Sequence, residues 1–333
     1  MRKFAHFFLL TLFFNFSSEL IAQTDYKGYY FNINKANSFT NTDSILKYKL
    51  ISLKLAKPLP NELISVSFYF FENKNIPKAR YYFLEAIKNG YQVEPDKAFI
   101  NLPFTIEYDS GFISKYENAS SPYAKFMKEM FANNKNQVRK LREEFINNID
   151  KIENIKYEVL LQNELNFQKI RFEILPTKQV PDSIIRTLYK YLNIGNSYYM
   201  LELLSNGEFP SRYKCRRFND QSINMLINHA IAGFANGEDA KLFIDLLWKQ
   251  VEKGNLSPYD YAKAVDHYTS WYEDPTKTLL GTVTISEDFK TFQCIDVLNP
   301  DKLNELRAKY WLVPIEVFCK NTGYLLPKNY ITR

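Results

Sequence analysis

The sequence predicts a mainly α-helical protein, with helical hairpins in its N-terminal part and a helical C-terminal domain that carries one small β-hairpin. Apolar residues recur at helical spacing between proline and glycine stops over most of the chain. Residues 123–172 are rich in Lys, Glu, Asn and Leu and contain no glycine, which favours long helices. Residues 279–295 are instead rich in Thr, Val, Ile and Phe, which favours two short strands.

The first residues have the pattern of a secretory signal. Arg2 and Lys3 precede an apolar run from Phe4 to Phe14. This run is shorter than the roughly twenty residues that a membrane-spanning helix needs, and no membrane span is predicted. We predict a signal peptide over residues 1–22, cleaved after Ala22, and export to the periplasm or the extracellular space. An uncleaved N-terminal anchor is the alternative, because Leu20 lies where a small residue is usual.

The composition of the chain limits the classes of function that it can have. The chain has 333 residues, of which 46% are hydrophobic and 16% aromatic, enough for sizeable cores and about two domains. The formal charge is +6, and removal of Arg2, Lys3 and Glu19 with the signal leaves +5. Because the basic residues are scattered and matched by 37 acids, nucleic-acid binding is not expected.

Helices can be placed in the N-terminal part from their caps and stops. A helix is predicted from about residue 43 to 56, ended by Pro58 and Pro60, and a second from about 61 to 72. A third begins at Pro77 and ends before Gly90. Its apolar positions repeat with the period of an amphipathic helix: Ala79, Tyr82, Phe83, Ala86 and Ile87.

The segment at about 61–90 resembles a tetratricopeptide-type helical hairpin in its spacing of Ala79, Phe83 and Ala86 behind a helix that carries Tyr69. Such repeats stack and bind peptides or proteins in a concave groove, so the resemblance implies a binding module. An ordinary helical hairpin is the alternative interpretation. We assign 23–117 to this module, with a degenerate later helix around 95–113, and 118–175 to a helical connector.

The remainder, 176–333, is predicted to be a helical domain with a β-hairpin. Helices are predicted at about 219–235, 238–253 and 258–272, with Gly254 stopping the second. Strands follow at 279–286 and 289–295. Two short helices, at 301–310 and 314–320, complete the domain.

Three cysteines remain after the signal, an odd number for a compartment in which disulfides persist. Cys294 and Cys319 are the favoured disulfide partners, and two free buried thiols are an equal alternative. Cys215 lies among Lys214, Arg216 and Arg217, which would lower its pKa, but no histidine is near it in sequence.

The common catalytic motifs are missing from the sequence. It contains no glycine-rich phosphate loop, serine elbow, H-E-x-x-H or C-x-x-C motif, and we predict no cofactor and no metal site. His229 lies away from the apolar stripe of its helix, so it faces either solvent or a second packing partner. It could act as a general acid or base, or simply make a structural hydrogen bond between helices.

A second resemblance covers about residues 182–317 and concerns an uncharacterised bacterial domain family that often follows tetratricopeptide-like helices. It rests on the following residues: Gly207, Phe209, Pro210, Leu226 to Ala230, Asp266, Gly281, Thr282, Ile295, Asp296, Asn299, Pro300, Arg307, Leu312 and Pro314. The resemblance makes His229 and Asp266 candidate catalytic residues, with Asp296 and Arg307 as further candidates. The chain departs from the family at His267, Thr278 and Val283, which weakens the inference of a catalytic site.

Taken together, these patterns predict an exported protein that binds a protein or peptide partner, or acts as a scaffold, through its helical hairpins. The alternative is a hydrolase-like enzyme in which His229 is the acid or base and Asp266 orients it.

Overall fold

The computed structural model describes residues 24–91, 122–169, 181–210, 220–286 and 291–331. The fold is mainly α-helical with one small antiparallel hairpin, as predicted. The predicted signal peptide, the helix expected at 95–113 and Cys215 lie outside the described residues. No described helix combines the length and the apolar character needed to cross a bilayer.

Two helical hairpins form the N-terminal part. Their helices are α1 (Tyr26–Asn37), α2 (Thr42–Ser52), α3 (Pro60–Glu72) and α4 (Ile76–Lys88). Asn side chains begin two of them, since Asn41 accepts from the Ser44 N–H and Asn75 from the Lys78 N–H. Helices α3 and α4 lie where two helices were predicted, and α1 was not predicted. A nearly buried ion pair of 2.8 Å between Lys49 and Glu62 joins α2 to α3.

Two long helices follow, α5 (Pro122–Asn148) and α6 (Lys151–Lys169). Phe126 of α5 packs edge-on against Phe68, Phe71 and Phe83, so α5 covers the α3/α4 hairpin. The helix is kinked at Asn134, whose buried side chain donates to the Met130 carbonyl one turn earlier. The prediction of long helices in this region is confirmed.

The helices of the C-terminal part pack around a hydrophobic core of their own. Its helices are α7 (Asp182–Ser205), α8 (Asp220–Gly233), α9 (Gly237–Glu252), α10 (Pro258–Tyr268), α11 (Leu303–Lys309) and α12 (Ile315–Thr322). One π-helical turn, Thr269–Glu273, extends α10, and a 3₁₀ turn, Pro300–Lys302, precedes α11. The strands β1 (Thr284–Ile285) and β2 (Gln293–Cys294) are shorter than predicted.

The strands are short because the preceding residues bond elsewhere. The N–H groups of Leu279, Leu280 and Thr282 donate to the side chain of Asp266 on α10, so they cannot pair with a strand. On the far side of β2, the Cys294 N–H donates to the Leu325 carbonyl. The result is a small sheet region held between α10 and the C-terminal segment.

The first helix packs against the last part of the chain. Tyr30 stacks on Trp311 with ring centroids 6.1 Å apart, and the Asn34 side chain donates to the Trp311 carbonyl. Trp311 has a positive φ of 57°, which is unusual for a bulky residue. The N-terminal hairpins and the C-terminal helices are therefore in direct contact.

Candidate functional site

His229 on α8 contacts α6 rather than bulk solvent. Its Nδ1 lies 2.6 Å from Oε1 of Glu164, a fully buried carboxylate, and the His229 side chain is 12% exposed. The sequence left two orientations of His229 open, toward solvent or toward a second packing partner. In the structure His229 faces a packing partner, which is α6. A carboxylate bonded to one imidazole nitrogen fixes the ring and its tautomer.

Asp266 is fully buried on α10 and binds the segment that leads into β1. It accepts hydrogen bonds from the N–H groups of Leu279, Leu280 and Thr282 and from the Thr282 hydroxyl, at 2.6–2.8 Å. Burial raises the pKa of Asp266, and these four hydrogen bonds oppose the shift. His229 is not among its hydrogen-bond partners and is bonded to Glu164 instead.

Arg307 on α11 binds the same segment before β1, through the Leu280 carbonyl. Its side chain is 1% exposed, and its guanidinium donates to the carbonyls of Leu280 and Val313. The group also lies 5.1 Å from the centre of the Phe318 ring. Burial lowers the pKa of Arg307, and the Asp266 charge opposes this shift. Leu280 is thus bonded through its N–H to Asp266 and through its carbonyl to Arg307.

Asp296 ties the C-terminal segment to the region after β2. Its carboxylate accepts from the Asn329 N–H at 3.1 Å, and its carbonyl accepts from the Thr278 N–H at 2.9 Å. Three of the predicted site residues, Asp266, Asp296 and Arg307, therefore bond to backbone groups. In these positions they stabilise the loops around the hairpin.

The predicted cysteine partners are adjacent. Cys294 on β2 and Cys319 on α12 are both buried thiols, and their Sγ atoms are 3.7 Å apart. A disulfide requires about 2.05 Å, so the structure contains the reduced pair.

A cavity of about 290 Å³ lies between α10 and β1. Its lining residues come from α10, from five consecutive residues around β1 and from two aromatic side chains nearby: Tyr259, Lys263, His267, Thr282, Val283, Thr284, Ile285, Ser286, Phe292 and Tyr324. This lining contains one lysine and, among the described residues, no Asp or Glu. Lys263 lies 4.8 Å from the centre of the Tyr259 ring, which supports its ammonium group at the cavity.

The backbone of Thr284 points away from β2. Thr284 pairs with Cys294 in an antiparallel register, and the flanking pair is hydrogen-bonded through Ile295 N–H and the Val283 carbonyl. Hydrogen-bonded and non-hydrogen-bonded pairs alternate in such ladders, so the Thr284 N–H and C=O face the outer edge. The outward Cys294 N–H, bonded to Leu325, agrees with this register.

The cavity extends along this edge. Side chains of Val283 and Ile285 point to the opposite face of the sheet from Thr284, yet all three residues line the cavity. Because the cavity is lined by consecutive residues of both faces, we infer that it follows the edge of the strand. In the described part of the chain, the outer N–H and C=O of Thr284 form no hydrogen bond.

His267 gives the cavity a neutral polar group at physiological pH. Burial, followed by the nearby Lys263 and His229, lowers its pKa to about 4. An uncharged imidazole has one nitrogen that donates a hydrogen bond and one that accepts a hydrogen bond. The charge at this wall of the cavity is therefore that of Lys263.

Comparisons with family models, curated proteins and solved structures found no match. The resemblances to tetratricopeptide hairpins and to a bacterial domain family thus stay predictions. Sequence reasoning did not identify Glu164, which lies 65 residues from His229, or the cavity beside β1. The spacing of Lys263 and His267, four residues apart on one helix face, was the available signal for the cavity. No described group of three His, Cys, Asp or Glu side chains could hold a metal.

Proposed function

We propose that the protein binds an extended segment of a partner polypeptide, which adds as a strand to the outer edge of β1. The observation that carries this proposal is that Thr284, whose backbone N–H and C=O face away from β2, lines an open cavity. Exposed strand edges pair readily with extended peptides, because main-chain hydrogen bonds supply affinity and side-chain pockets supply specificity.

The cavity's chemistry favours a segment with an acidic side chain. Lys263 is the cationic residue of the lining, and among the described residues it has no carboxylate within ion-pair distance. Phe292 and Tyr324 add an apolar wall for a second side chain. An acidic residue next to an apolar one in the partner would match both features.

The sequence predicts that a protein or peptide partner binds to the N-terminal hairpins. Helices α1 to α4 contribute no residue to this cavity, so the present proposal places the peptide site in the C-terminal part. The hairpins would then serve as a scaffold, joined to that part through Tyr30 and Trp311. Peptide binding by the hairpins themselves stays a separate prediction.

Peptides selected from a displayed random library test the proposal. We expect Thr284→Pro to weaken their binding about fivefold, because proline removes the outward N–H, and a lost hydrogen bond contributes about 1 kcal/mol. Thr284→Ala is the control, since it keeps the N–H and removes only the side chain. Lys263→Gln should weaken peptides with an acidic residue more than peptides without one. Equal binding by the proline and alanine variants would overturn the proposal.

A second candidate function, acid–base hydrolysis, is favoured by the 2.6 Å contact between His229 and Glu164. Glu164 would take the orienting role that the sequence assigned to Asp266. Hydrolysis of a chromogenic ester by the wild-type protein should then fall about a hundredfold or more in His229→Gln, the usual contribution of a general base. Equal rates for the two proteins would exclude this function.

A further inference from the structure

The two buried thiols lie where two separate elements meet. Cys294 belongs to β2 and Cys319 to α12, and 25 residues separate them in sequence. Cys294 is 1% exposed and Cys319 is 4% exposed. Their Sγ atoms are 3.7 Å apart, so they must approach each other by about 1.7 Å to form a bond of about 2.05 Å.

We propose that Cys294 and Cys319 form an intramolecular disulfide by thiol exchange with a low-molecular-weight disulfide, which cross-links β2 to α12. The proposal rests on the pairing of the two thiols. It is independent of the proposed peptide binding, which requires no change in these residues.

The surroundings make the two thiols unequal. The contact with Cys294 lowers the pKa of Cys319, and the nearby Arg307 guanidinium lowers it further, against the opposing effect of burial. The same contact with Cys319, together with burial, raises the pKa of Cys294. Since the thiolate is the nucleophile in thiol exchange, Cys319 is the attacking residue and Cys294 the resolving one.

The reaction balances in two steps. The Cys319 thiolate attacks one sulfur of the external disulfide, which forms a mixed disulfide and releases one thiolate. Cys294 then gives its proton to that thiolate and attacks the Cys319 sulfur, which releases the second half of the reagent as a thiolate. The protein loses two hydrogen atoms, and the external disulfide is reduced to two thiols after protonation of the second thiolate.

The cross-link would act on the sheet beside the cavity. Cys294 pairs with Thr284 across the hairpin, and Cys319 accompanies Phe318, which lies against Arg307. A covalent bond between them fixes β2 to the helix that packs beneath it. The oxidised protein should therefore have a higher melting temperature than the reduced protein.

Refolding from denaturant in a buffer of reduced and oxidised glutathione tests the proposal. In this experiment glutathione does not have to enter the folded core. We expect peptide mapping by mass spectrometry to find a Cys294–Cys319 cross-link and dithiothreitol to remove it. A folded product in which both residues still react with an alkylating reagent after unfolding would overturn the proposal. A cross-link from either residue to Cys215 in the folded product would also overturn it.

Single variants test the order of attack. After reaction with oxidised glutathione, Cys294→Ser should retain a mixed disulfide at Cys319, because the resolving thiol is missing. Cys319→Ser should form the mixed disulfide at Cys294 more slowly, because burial still raises the pKa of that thiol after its partner is removed. Circular dichroism establishes that both variants are folded. Equal rates at the two positions would contradict the assigned roles.

Discussion

Asp266 and His229 show that two residues predicted for one site can have separate roles, which the sequence alone does not distinguish. Both belong to helices of the C-terminal part, but Asp266 bonds to the backbone before β1, whereas His229 bonds to Glu164. The four donors around Asp266 lie 13 to 16 residues after it in sequence. A buried carboxylate that accepts four hydrogen bonds is a positioning group for a loop, and this loop leads into the cavity wall.

The sequence could not identify Glu164 as the partner of His229, for a physical reason. Glu164 lies on α6, and its contact depends on how α6 and α8 pack, which the local pattern of neither helix specifies. The apolar stripe of α8 did predict that His229 lies outside the main contact face. Periodicity thus gave the direction of the side chain but not its partner.

At the residue scale, His267 should make stability depend on pH. Its folded-state pKa of about 4 lies below the unfolded value of 6.5, so the unfolded chain binds a proton that the folded chain does not. Stability should therefore fall as the pH is lowered from about 6.5 to about 4, by about 2–3 kcal/mol at roughly 1.4 kcal/mol per pKa unit. Urea unfolding at several pH values measures this loss.

The control for this prediction is His267→Gln, which keeps a polar group but does not titrate. Asp266, whose pKa is raised, acts with the opposite sign at lower pH, since protonation favours the folded state. The difference between the wild-type protein and the variant removes that common effect. Parallel stability curves for the two proteins would contradict the role of His267.

At the element scale, helix boundaries were predictable where the sequence has strong stops. Proline and asparagine begin α3 and α4, and Gly254 follows α9, so these helices were placed within one or two residues. Helix α1 was missed because its sequence is rich in Tyr and Asn. Its buried positions, Tyr29, Tyr30, Ile33 and Ala36, nonetheless repeat with a helical period.

The β-hairpin was predicted in the right place but with strands that were too long. The composition of residues 279–282 favours a strand, yet the N–H groups of Leu279, Leu280 and Thr282 donate to Asp266. A side-chain acceptor on a distant helix thus replaced strand pairing. Such competition depends on tertiary structure and cannot be inferred from local propensity.

The ends of α7 and α9 provide a matched pair of glycine substitutions. Gly207 and Gly254 have positive φ values of 76° and 73°, and each follows the last turn of a helix. Alanine should cost about 1–2 kcal/mol at both positions because of this backbone conformation. At Gly254 a Cβ would also overlap the Tyr26 ring, whereas nothing lies within 4 Å at Gly207.

Gly254→Ala should therefore destabilise the protein more than Gly207→Ala, by an additional 1–3 kcal/mol or so, the usual cost of overpacking. Thermal unfolding of the two variants gives the difference. Equal losses would mean that Tyr26 does not pack at the end of α9 as described.

At the scale of the whole molecule, the contact between α1 and the C-terminal part joins the two ends of the described chain. Tyr30 is 5% exposed and stacks on Trp311, whereas its neighbour Phe31 is 63% exposed. We expect Tyr30→Ala to lower the free energy of unfolding by about 3 kcal/mol and Phe31→Ala to change it by less than about 0.5 kcal/mol. Unfolding monitored by tryptophan fluorescence and by circular dichroism measures both values.

The same experiment tests whether the two parts unfold together. In the wild-type protein the two signals should change at the same denaturant concentration, and in Tyr30→Ala they should separate. Coincident transitions in the variant would show that this contact does not couple the parts.

Amide hydrogen exchange at Thr284 tests most directly whether an extended peptide pairs with the outer edge of β1. The outward Thr284 N–H has no hydrogen-bond partner in the described chain, so it should exchange rapidly in the free protein. A bound library-selected peptide should slow this exchange about tenfold or more. Tight binding with unchanged exchange at Thr284, and with protection in α1 to α4 instead, would contradict the claim.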